Sequence, residues 1–171
     1  GSTRTVLLLE AGPDYGPRTS GRWPAELLDY TNMPVDSHSW GYLSACPQGK
    51  AELPLDRARV IGGCSSHNGC AAVWGHRDDY DHWASLGNSG WGYTDVLPYF
   101  RKLEHNVRGA SEWHGADGPL WASDIGAKHE LIEALIAAGS EIGIPRNDDF
   151  NGATQEGIGY YQLTTRRGLR C

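Results

Sequence analysis

The stretch Arg57–Cys70, which reads RARVIGGCSSHNGC, is the most informative part of this sequence. Its two adjacent glycines let the backbone approach a flat or charged group closely, and the small residues that follow keep the side chains short. His67 stands among them as one large side chain with a nucleophilic ring. This pattern is typical of a cofactor cradle, in which free backbone N–H groups meet an anion or a carbonyl oxygen. Small-residue runs also occur in ordinary loops, where His67 would be an unreactive histidine.

The composition limits the kind of protein to which this chain belongs. The chain has 171 residues, a net charge of -6 and a pI near 5.6, which argues against a nucleic acid partner. Its most strongly apolar run, Val6–Leu9, is as long as a strand and too short for a membrane span or a secretory signal. The four cysteines lack the spacing of a zinc site or a disulfide framework. We therefore expect a cytoplasmic protein with reduced thiols, in which Cys64 and Cys70 are small apolar fillers.

The run Val6–Leu9 is followed at once by Glu10 and a turn. A continuous apolar run predicts a strand covered on both faces, as in a parallel sheet. A dinucleotide-binding fold holds the adenosine ribose with an acidic residue at the end of such a strand, although Glu10 could equally be a solvated strand end. The glycine fingerprint expected about 20 residues earlier is absent. The sequence therefore suggests a piece of a larger protein, a nicked product or one chain of a split enzyme.

Periodicity and capping residues predict the other elements. We expect a helical turn at 24–30 and four helices: one from Ser65 or Ser66 to Trp74, and the others at 78–86, at 95–105 with Thr94 as its cap, and at 129–142. We expect strands at 40–42, 119–121 and 157–165. Residues 12–56 carry six prolines and predict an extended loop. The histidines show no metal-ligand spacing. His76 and His82 are expected at the surface, and His105 and His114 in turns.

These residues together resemble the glucose–methanol–choline (GMC) oxidoreductase family of flavoenzymes. The segment 6–12 looks like its second strand with the ribose-binding acid, and 59–63 followed by Asn68 and Gly69 looks like its first signature. Residues 78–83, 90–91 and 97–104 look like the downstream half of that signature. The resemblance implies an α/β (α+β) fold. Residues 1–125 would be part of a Rossmann-like FAD-binding domain, and residues 126–171 the beginning of the substrate-binding domain and its sheet.

The resemblance is strongest to the choline-oxidase-like members, in which the histidine of this motif is bonded covalently to the 8α carbon of FAD. It therefore implies FAD linked through His67; in the alternative, His67 only stacks on or hydrogen-bonds to the dimethylbenzene edge of the flavin. Gly69 stands where choline oxidase has a serine, which leaves choline in doubt as the substrate. The implied cofactor-binding residues are Glu10, Trp40, Arg59, Val60, Gly63, Cys64, His67, Asn68, Gly69 and Ala71.

The resemblance also implies a function, an FAD-dependent oxidoreductase that acts on CH–OH groups. A small-molecule alcohol would give hydride to flavin N5, and dioxygen or an electron carrier would reoxidise the flavin, with an oxidase favoured over a dehydrogenase. The catalytic His or Asn of the family lies beyond Cys171, so we expect no catalytic residue and no metal site in this span. Catalysis would then need a complementary chain or the remainder of the enzyme, which could be a homodimer. A hydroxynitrile-lyase-type enzyme of the same fold and a non-catalytic fragment or subunit remain as alternatives.

Overall fold

The computed structural model describes residues 3–32, 35, 37–45 and 52–171. The chain divides into two compact units, one that extends up to Gly69 and includes Arg170, and one formed by Cys70–Leu169 with Cys171. This division of the chain differs from the domain boundary expected after residue 125, which stays a prediction. In the part of the chain that the structure describes, no helix has the length and apolar character needed to cross a membrane.

The apolar run near the start of the first unit does not form the expected strand. Val6, Leu7, Leu8 and Leu9 are between 74% and 85% exposed, and residues 3–10 have no regular secondary structure. A strand of a parallel sheet needs neighbouring strands for its backbone groups and helices over both faces. None of the described residues pairs with this run, so the prediction of a buried strand is wrong for this chain as it stands.

The first unit is built from short elements around a small core. A 3-10 turn spans Arg18–Ser20, and helix α1, Ala25–Leu28, lies within the helical turn predicted at 24–30. Strands β1, Tyr42–Leu43, and β2, Pro54–Leu55, pair antiparallel, close to the strand expected at 40–42. The core consists of Leu27, Val35, Ala58 and Val60, with Tyr15, Trp23 and Ile61 packed against it.

Two helices of the second unit begin with side-chain caps. Helix α2, Arg77–Ser85, matches the prediction; His76 caps its start, and Gly87 follows it with φ 98°. Helix α3 is Tyr93–Leu103, and its N-cap is Gly92 rather than the predicted Thr94. The Asp95 carboxylate accepts the backbone N–H of Gly92 at 3.2 Å, which explains why the helix starts two residues earlier than expected.

A parallel strand pair follows α3 directly. Strands β3, Glu104–Asn106, and β4, Leu120–Ala122, pair in register. The prediction placed His105 in the end of α3 and also among turn residues, and both expectations are wrong, because β4 draws residues 104–106 into a strand. The strand predicted at 119–121 is confirmed with a shift of one residue.

Helix α4, Glu130–Glu141, confirms the helix predicted at 129–142. The His129 ring nitrogen accepts the N–H of Leu131 at 3.2 Å and so caps the helix, and Gly143 follows it with φ 91°. Only Ile136 and Gly139 of this helix are buried, so most of the apolar stripe that predicted it faces outward.

The strand predicted at 157–165 is wrong. Residues of this segment make isolated bridges to three different partners, with Arg146 facing Ile158, and Ala71 and Ser123 both facing Leu163. Because each partner belongs to a different segment, no continuous ladder forms. A short hairpin of β5, Thr165–Arg166, and β6, Leu169–Arg170, follows instead.

Candidate functional site

The turn that follows Glu10 lies directly against the glycine-rich stretch. A Cβ atom built on Gly12 would stand only 1.9 Å from the Arg59 carbonyl oxygen, so the two backbones are in contact and only glycine fits. The Ile61 N–H donates to the Pro13 carbonyl at 3.1 Å. Two segments that are distant in the sequence are thereby held together by backbone contacts.

Glu10 and Trp40, both predicted cofactor contacts, line one open groove of the first unit. The groove has a volume of about 480 Å³ and is lined by Leu9, Glu10, Ala11, Trp40 and Ala58. One Glu10 carboxylate oxygen accepts the Gly12 N–H at 2.8 Å, and the side chain is otherwise exposed. A carboxylate has further lone pairs, so Glu10 can accept hydrogen bonds from hydroxyl groups of a ligand in this groove.

Trp40 presents a flat aromatic face supported by its neighbours. Its indole stacks on Tyr42 with ring centres 5.9 Å apart and planes 5° from parallel. The Arg59 guanidinium carbon lies 5.8 Å from the centre of the Trp40 ring, within the range of a cation–π contact. Trp40 therefore shares the groove with Glu10 and also contacts a positive charge.

The glycine-rich stretch itself is a tight turn and not the start of an α-helix. Gly62 and Gly63 both have left-handed backbones, with φ 87° and 57°, and residues Gly63–Ser66 form one 3-10 turn that ends at His67. The predicted helix from Ser65 or Ser66 to Trp74 is wrong. A Cβ atom on Gly63 would meet nothing within 4 Å, so open space adjoins this backbone. Val60 is fully buried in the core of the first unit, so neither its side chain nor its backbone is exposed there.

His67 lies inside the first unit and not in solvent. His67 is only 7% exposed, and its ring nitrogen Nε2 lies 3.1 Å from the Ser37 carbonyl oxygen. Because a carbonyl only accepts hydrogen bonds, Nε2 carries the hydrogen in this contact. The backbone N–H of His67 donates to the Cys64 carbonyl oxygen at 3.1 Å. The ring is therefore held in one orientation, which suits a residue that bonds to a fixed ligand atom.

The remaining predicted residues differ in exposure. Cys64, Asn68 and Gly69 are exposed. Cys64 is therefore not the expected filler; its sulfur accepts the Ala58 N–H at 3.5 Å. Cys70, which is 1% exposed, does fill the interior as expected. Ala71 belongs to the second unit, where it faces Leu163 in an isolated bridge.

The second unit contains a buried charged cluster that the sequence analysis missed. His114, placed among turn residues, is 7% exposed and lies between two carboxylates. Its Nδ1 is 2.8 Å from Glu104 Oε2, and its Nε2 is 3.0 Å from Asp149 Oδ2. Asn106 donates to Glu104 at 3.2 Å and to Gln162 at 2.7 Å, which completes the cluster. No local pattern signals it, because its members are distant in the sequence.

The geometry keeps His114 protonated. Burial alone would lower its pKa, but hydrogen bonds to Asp149 and Glu104 and their negative charges outweigh burial and raise the pKa to about 9. The same contact with His114 lowers the pKa of Asp149 below its usual value. At neutral pH the cluster is thus an imidazolium between two carboxylates. Both ring nitrogens donate, so His114 has no lone pair to offer a metal ion.

Comparison with known proteins identifies the family. Residues 30–171 match the sequence model of the family described as GMC oxidoreductase.

This chain belongs to the GMC oxidoreductase family.

Two curated GMC relatives carry the same name, oxygen-dependent choline dehydrogenase. The protein from Sinorhizobium fredii is 42% identical over 99% of this chain and 31% of its own length. The protein from Rhizobium rhizogenes is 43% identical over 97% of this chain and 30% of its own length. The chain therefore spans about a third of the length of these relatives.

Solved GMC structures confirm the expected fold class, an α/β fold with part of an FAD-binding oxidoreductase domain. Pyridoxine 4-oxidase from Mesorbium loti matches 94% of this chain and 32% of its own chain, with a TM-score of 0.80 and 26% identity. An FAD-dependent oxidoreductase from Chaetomium thermophilum matches 94% of this chain and 29% of its own, with a TM-score of 0.73 and 26% identity.

The GMC family binds FAD, and the first unit has features that suit it. FAD offers ribose hydroxyls, a pyrophosphate and aromatic rings. The groove contains the Glu10 acceptor and the Trp40 ring, and the Arg59 charge contacts that ring. Open space lies beside the Gly63 backbone, where any side chain would compete with a ligand. The donor set therefore fits a dinucleotide cofactor.

Proposed function

We propose that this chain is the FAD-binding part of an enzyme that oxidises CH–OH groups. When bound, FAD supplies the hydride acceptor for the carbinol carbon of an alcohol. One observation carries the proposal: Glu10 and Trp40 line one groove, and the Arg59 guanidinium lies 5.8 Å from the centre of the Trp40 ring. Family membership supports it, since the family binds FAD.

Each side of the groove has a role in this proposal. Glu10 accepts hydrogen bonds from the adenosine ribose hydroxyls, and the Gly12 N–H orients its carboxylate. Arg59 contributes positive charge near a phosphate-bearing ligand, and Trp40 covers one aromatic face. The backbone at Gly63 leaves room for close approach, because no side chain fills that space.

His67 is the proposed point of covalent attachment. It would lose its ring hydrogen and form an N–C bond to the 8α methyl carbon, which also loses one hydrogen. The two electrons released would reduce the flavin ring itself, so no other oxidant is needed to form the bond. The buried position of His67 and its bond to Ser37 support the proposal, because a fixed ring meets a fixed carbon with little loss of rotational freedom.

The electron acceptor and substrate class follow from the relatives. We propose dioxygen as the acceptor, which agrees with relatives named oxygen-dependent choline dehydrogenase and pyridoxine 4-oxidase. A primary alcohol is the proposed substrate, with choline as the first compound to test. Anaerobic addition of the alcohol should bleach the visible flavin absorption, and air should restore it. Flavin that stays oxidised with choline and with a panel of primary alcohols would contradict the proposal.

The covalent bond is tested in the natural full-length protein after denaturation in acid. Flavin fluorescence should remain on the denatured polypeptide and locate to the peptide that contains His67. The His67→Ala variant should release its flavin, whereas His82→Ala, a control at an exposed position of α2, should retain it. Release of all flavin by the unmodified protein would show that His67 contacts FAD without a bond or not at all.

A further inference from the structure

The segment 71–74, which follows the glycine-rich stretch, has an unusual means of support. Residues 72–74 lie outside any helix or strand, yet side chains of another loop hold their backbone. Asn151 donates its amide to the Ala72 carbonyl at 2.7 Å and accepts the Trp74 N–H at 2.9 Å. Gln155 donates to the Trp74 carbonyl at 2.9 Å. One buried asparagine therefore fixes two backbone groups two residues apart.

Asn151 is itself fixed by the charged cluster. The backbone N–H of Asn151 donates to Asp149 Oδ1 at 3.1 Å. Asp149 Oδ2 lies 3.0 Å from Nε2 of the His114 ring. Glu104 holds the other nitrogen of that ring at 2.8 Å. Asn151 is 6% exposed, so water does not readily replace its bonds.

A second branch leads from the same cluster to the same segment. Asn106 bonds to Glu104 and, through two side-chain contacts at 2.7 Å and 3.1 Å, to Gln162. The Gln162 carbonyl accepts the Ala72 N–H at 2.8 Å. Both branches therefore start at Glu104 and end at Ala72, so that the N–H and the carbonyl of this residue are both held.

We propose that Asp149 and Asn151 are positioning residues, which hold the segment 71–74 in place from the buried pair of His114 and Glu104. The inference rests on the proposed function, because Ala71 is one of the proposed flavin contacts. The effect of Asp149 and Asn151 is to keep the backbone next to Ala71 in one conformation, so that the flavin meets a preorganised surface.

The test uses the natural full-length protein and three variants. Asn151→Leu removes both bonds to the segment, Asp149→Asn weakens the contact with His114, and Asp148→Asn is a matched control. Asp148 is the next residue in the chain; its side chain is 69% exposed and pairs with Arg146. Hydrogen exchange of the Trp74 amide and the visible absorption spectrum of the flavin are measured, and near-ultraviolet circular dichroism verifies folding.

We expect the Trp74 amide to exchange about tenfold faster in Asn151→Leu, since one hydrogen bond of ordinary strength is lost. Asp149→Asn should give a smaller increase in exchange and Asp148→Asn none. The flavin absorption bands should shift in the same order. If Asn151→Leu does not fold, the comparison of Asp149→Asn with Asp148→Asn decides.

Two outcomes would overturn the inference. Unchanged exchange at Trp74 in the folded variants would show that these side chains do not hold the segment. Faster exchange with an unaltered flavin spectrum would show a purely structural role. If the unmodified protein binds no flavin, both the proposed function and the positioning role fail. The exchange of the Trp74 amide then still shows whether these side chains hold the segment 71–74.

Discussion

At the scale of single residues, the sequence singled out two side chains that share a groove, Glu10 and Trp40, and it missed the buried pairs that side chains form with each other. Glu10 and Trp40 were expected at a cofactor, and the structure brings them into one groove. The partners of His114 were not expected, because a histidine among turn residues carries no sign that carboxylates at positions 104 and 149 will surround it. Such pairings follow from tertiary structure and leave no local periodicity.

The Gly12 contact gives a prediction at this scale. Gly12→Ala should destabilise the protein by about 3 kcal/mol, because the new methyl group overlaps the Arg59 backbone, which cannot move aside like a flexible side chain. Gly126→Ala is the control, since nothing lies within 4 Å of its Cβ position. Urea unfolding of both variants measures the difference. Equal stability of the two variants would contradict the contact.

The pKa of His114 gives a prediction about pH. The folded protein keeps the proton up to about pH 9, whereas an unfolded histidine loses it near 6.5, so protonated His114 favours the folded state. This stabilisation is fully present below pH 6.5 and is lost as the pH rises to about 9. We expect a loss on the order of 2 kcal/mol, reduced from the full shift because the Asp149 side chain is 37% exposed.

The measurement is the free energy of unfolding of the full-length protein at a series of pH values. His114→Gln should be less stable at neutral pH and should lack this decline, and His82→Gln should behave as the unmodified protein does. At acidic pH the lowered pKa of Asp149 has the opposite effect on the pH dependence. Ionised Asp149 stabilises the folded state above the ordinary carboxyl pKa, and this stabilisation falls as the pH drops below that value. A flat profile between pH 6.5 and 9 would count against the ion cluster.

At the scale of elements, the helices with caps and stop signals inside their own sequence were predicted well. Helices α2 and α4 each have an acidic first turn and a following glycine, Gly87 and Gly143, with a left-handed backbone. The helix expected after Ser65 failed because the backbone leaves the helical conformation at His67, with φ -139°, and is left-handed at Cys70, with φ 62°. The strand expected at 157–165 failed because alternation does not reveal how many partners a segment will have.

The capping of α2 gives a prediction for this element. Asp79 accepts the His76 N–H at 3.1 Å, while the His76 ring accepts the Asp78 N–H at 3.3 Å. Asp79→Ala should therefore destabilise α2 by about 1 kcal/mol. Asp78→Ala removes an equal charge, but from a side chain that is 88% exposed, and should destabilise α2 by only a few tenths of a kcal/mol. Hydrogen exchange across residues 77–85 distinguishes them, and equal effects would argue against the capping box.

At the scale of the whole molecule, each compact unit leaves apolar surface uncovered. Val6–Leu9 is the largest stretch. Leu131 and Leu135 of α4 and Ile142, which directly follows α4, are also between 58% and 79% exposed. The chain spans about a third of the length of its curated relatives. The sequence pattern of Val6–Leu9 predicted a strand buried on both faces. Burial of that kind needs neighbouring strands, and none of the described residues supplies one.

Substitution of Leu8 tests this interpretation. Leu8→Lys should change the stability of the 171-residue chain by no more than about 0.5 kcal/mol, because Leu8 is 74% exposed there. In the natural full-length protein the same change should cost more than about 2 kcal/mol if neighbouring strands bury the run. Thermal unfolding of both forms provides the comparison. An equally small effect in both would mean that Val6–Leu9 is not an internal strand.

The contact between Gly12 and Arg59 has a consequence for how such enzymes diversify. The junction is made by main-chain atoms, so it does not depend on the side chains of the long connection between the two segments. Insertions and exchanges in that connection can therefore accumulate without separating the two halves of the groove. Chimaeras that transplant this connection from a related GMC protein should keep the contact between Gly12 and Arg59 while they replace Trp40, and so change one wall of the groove.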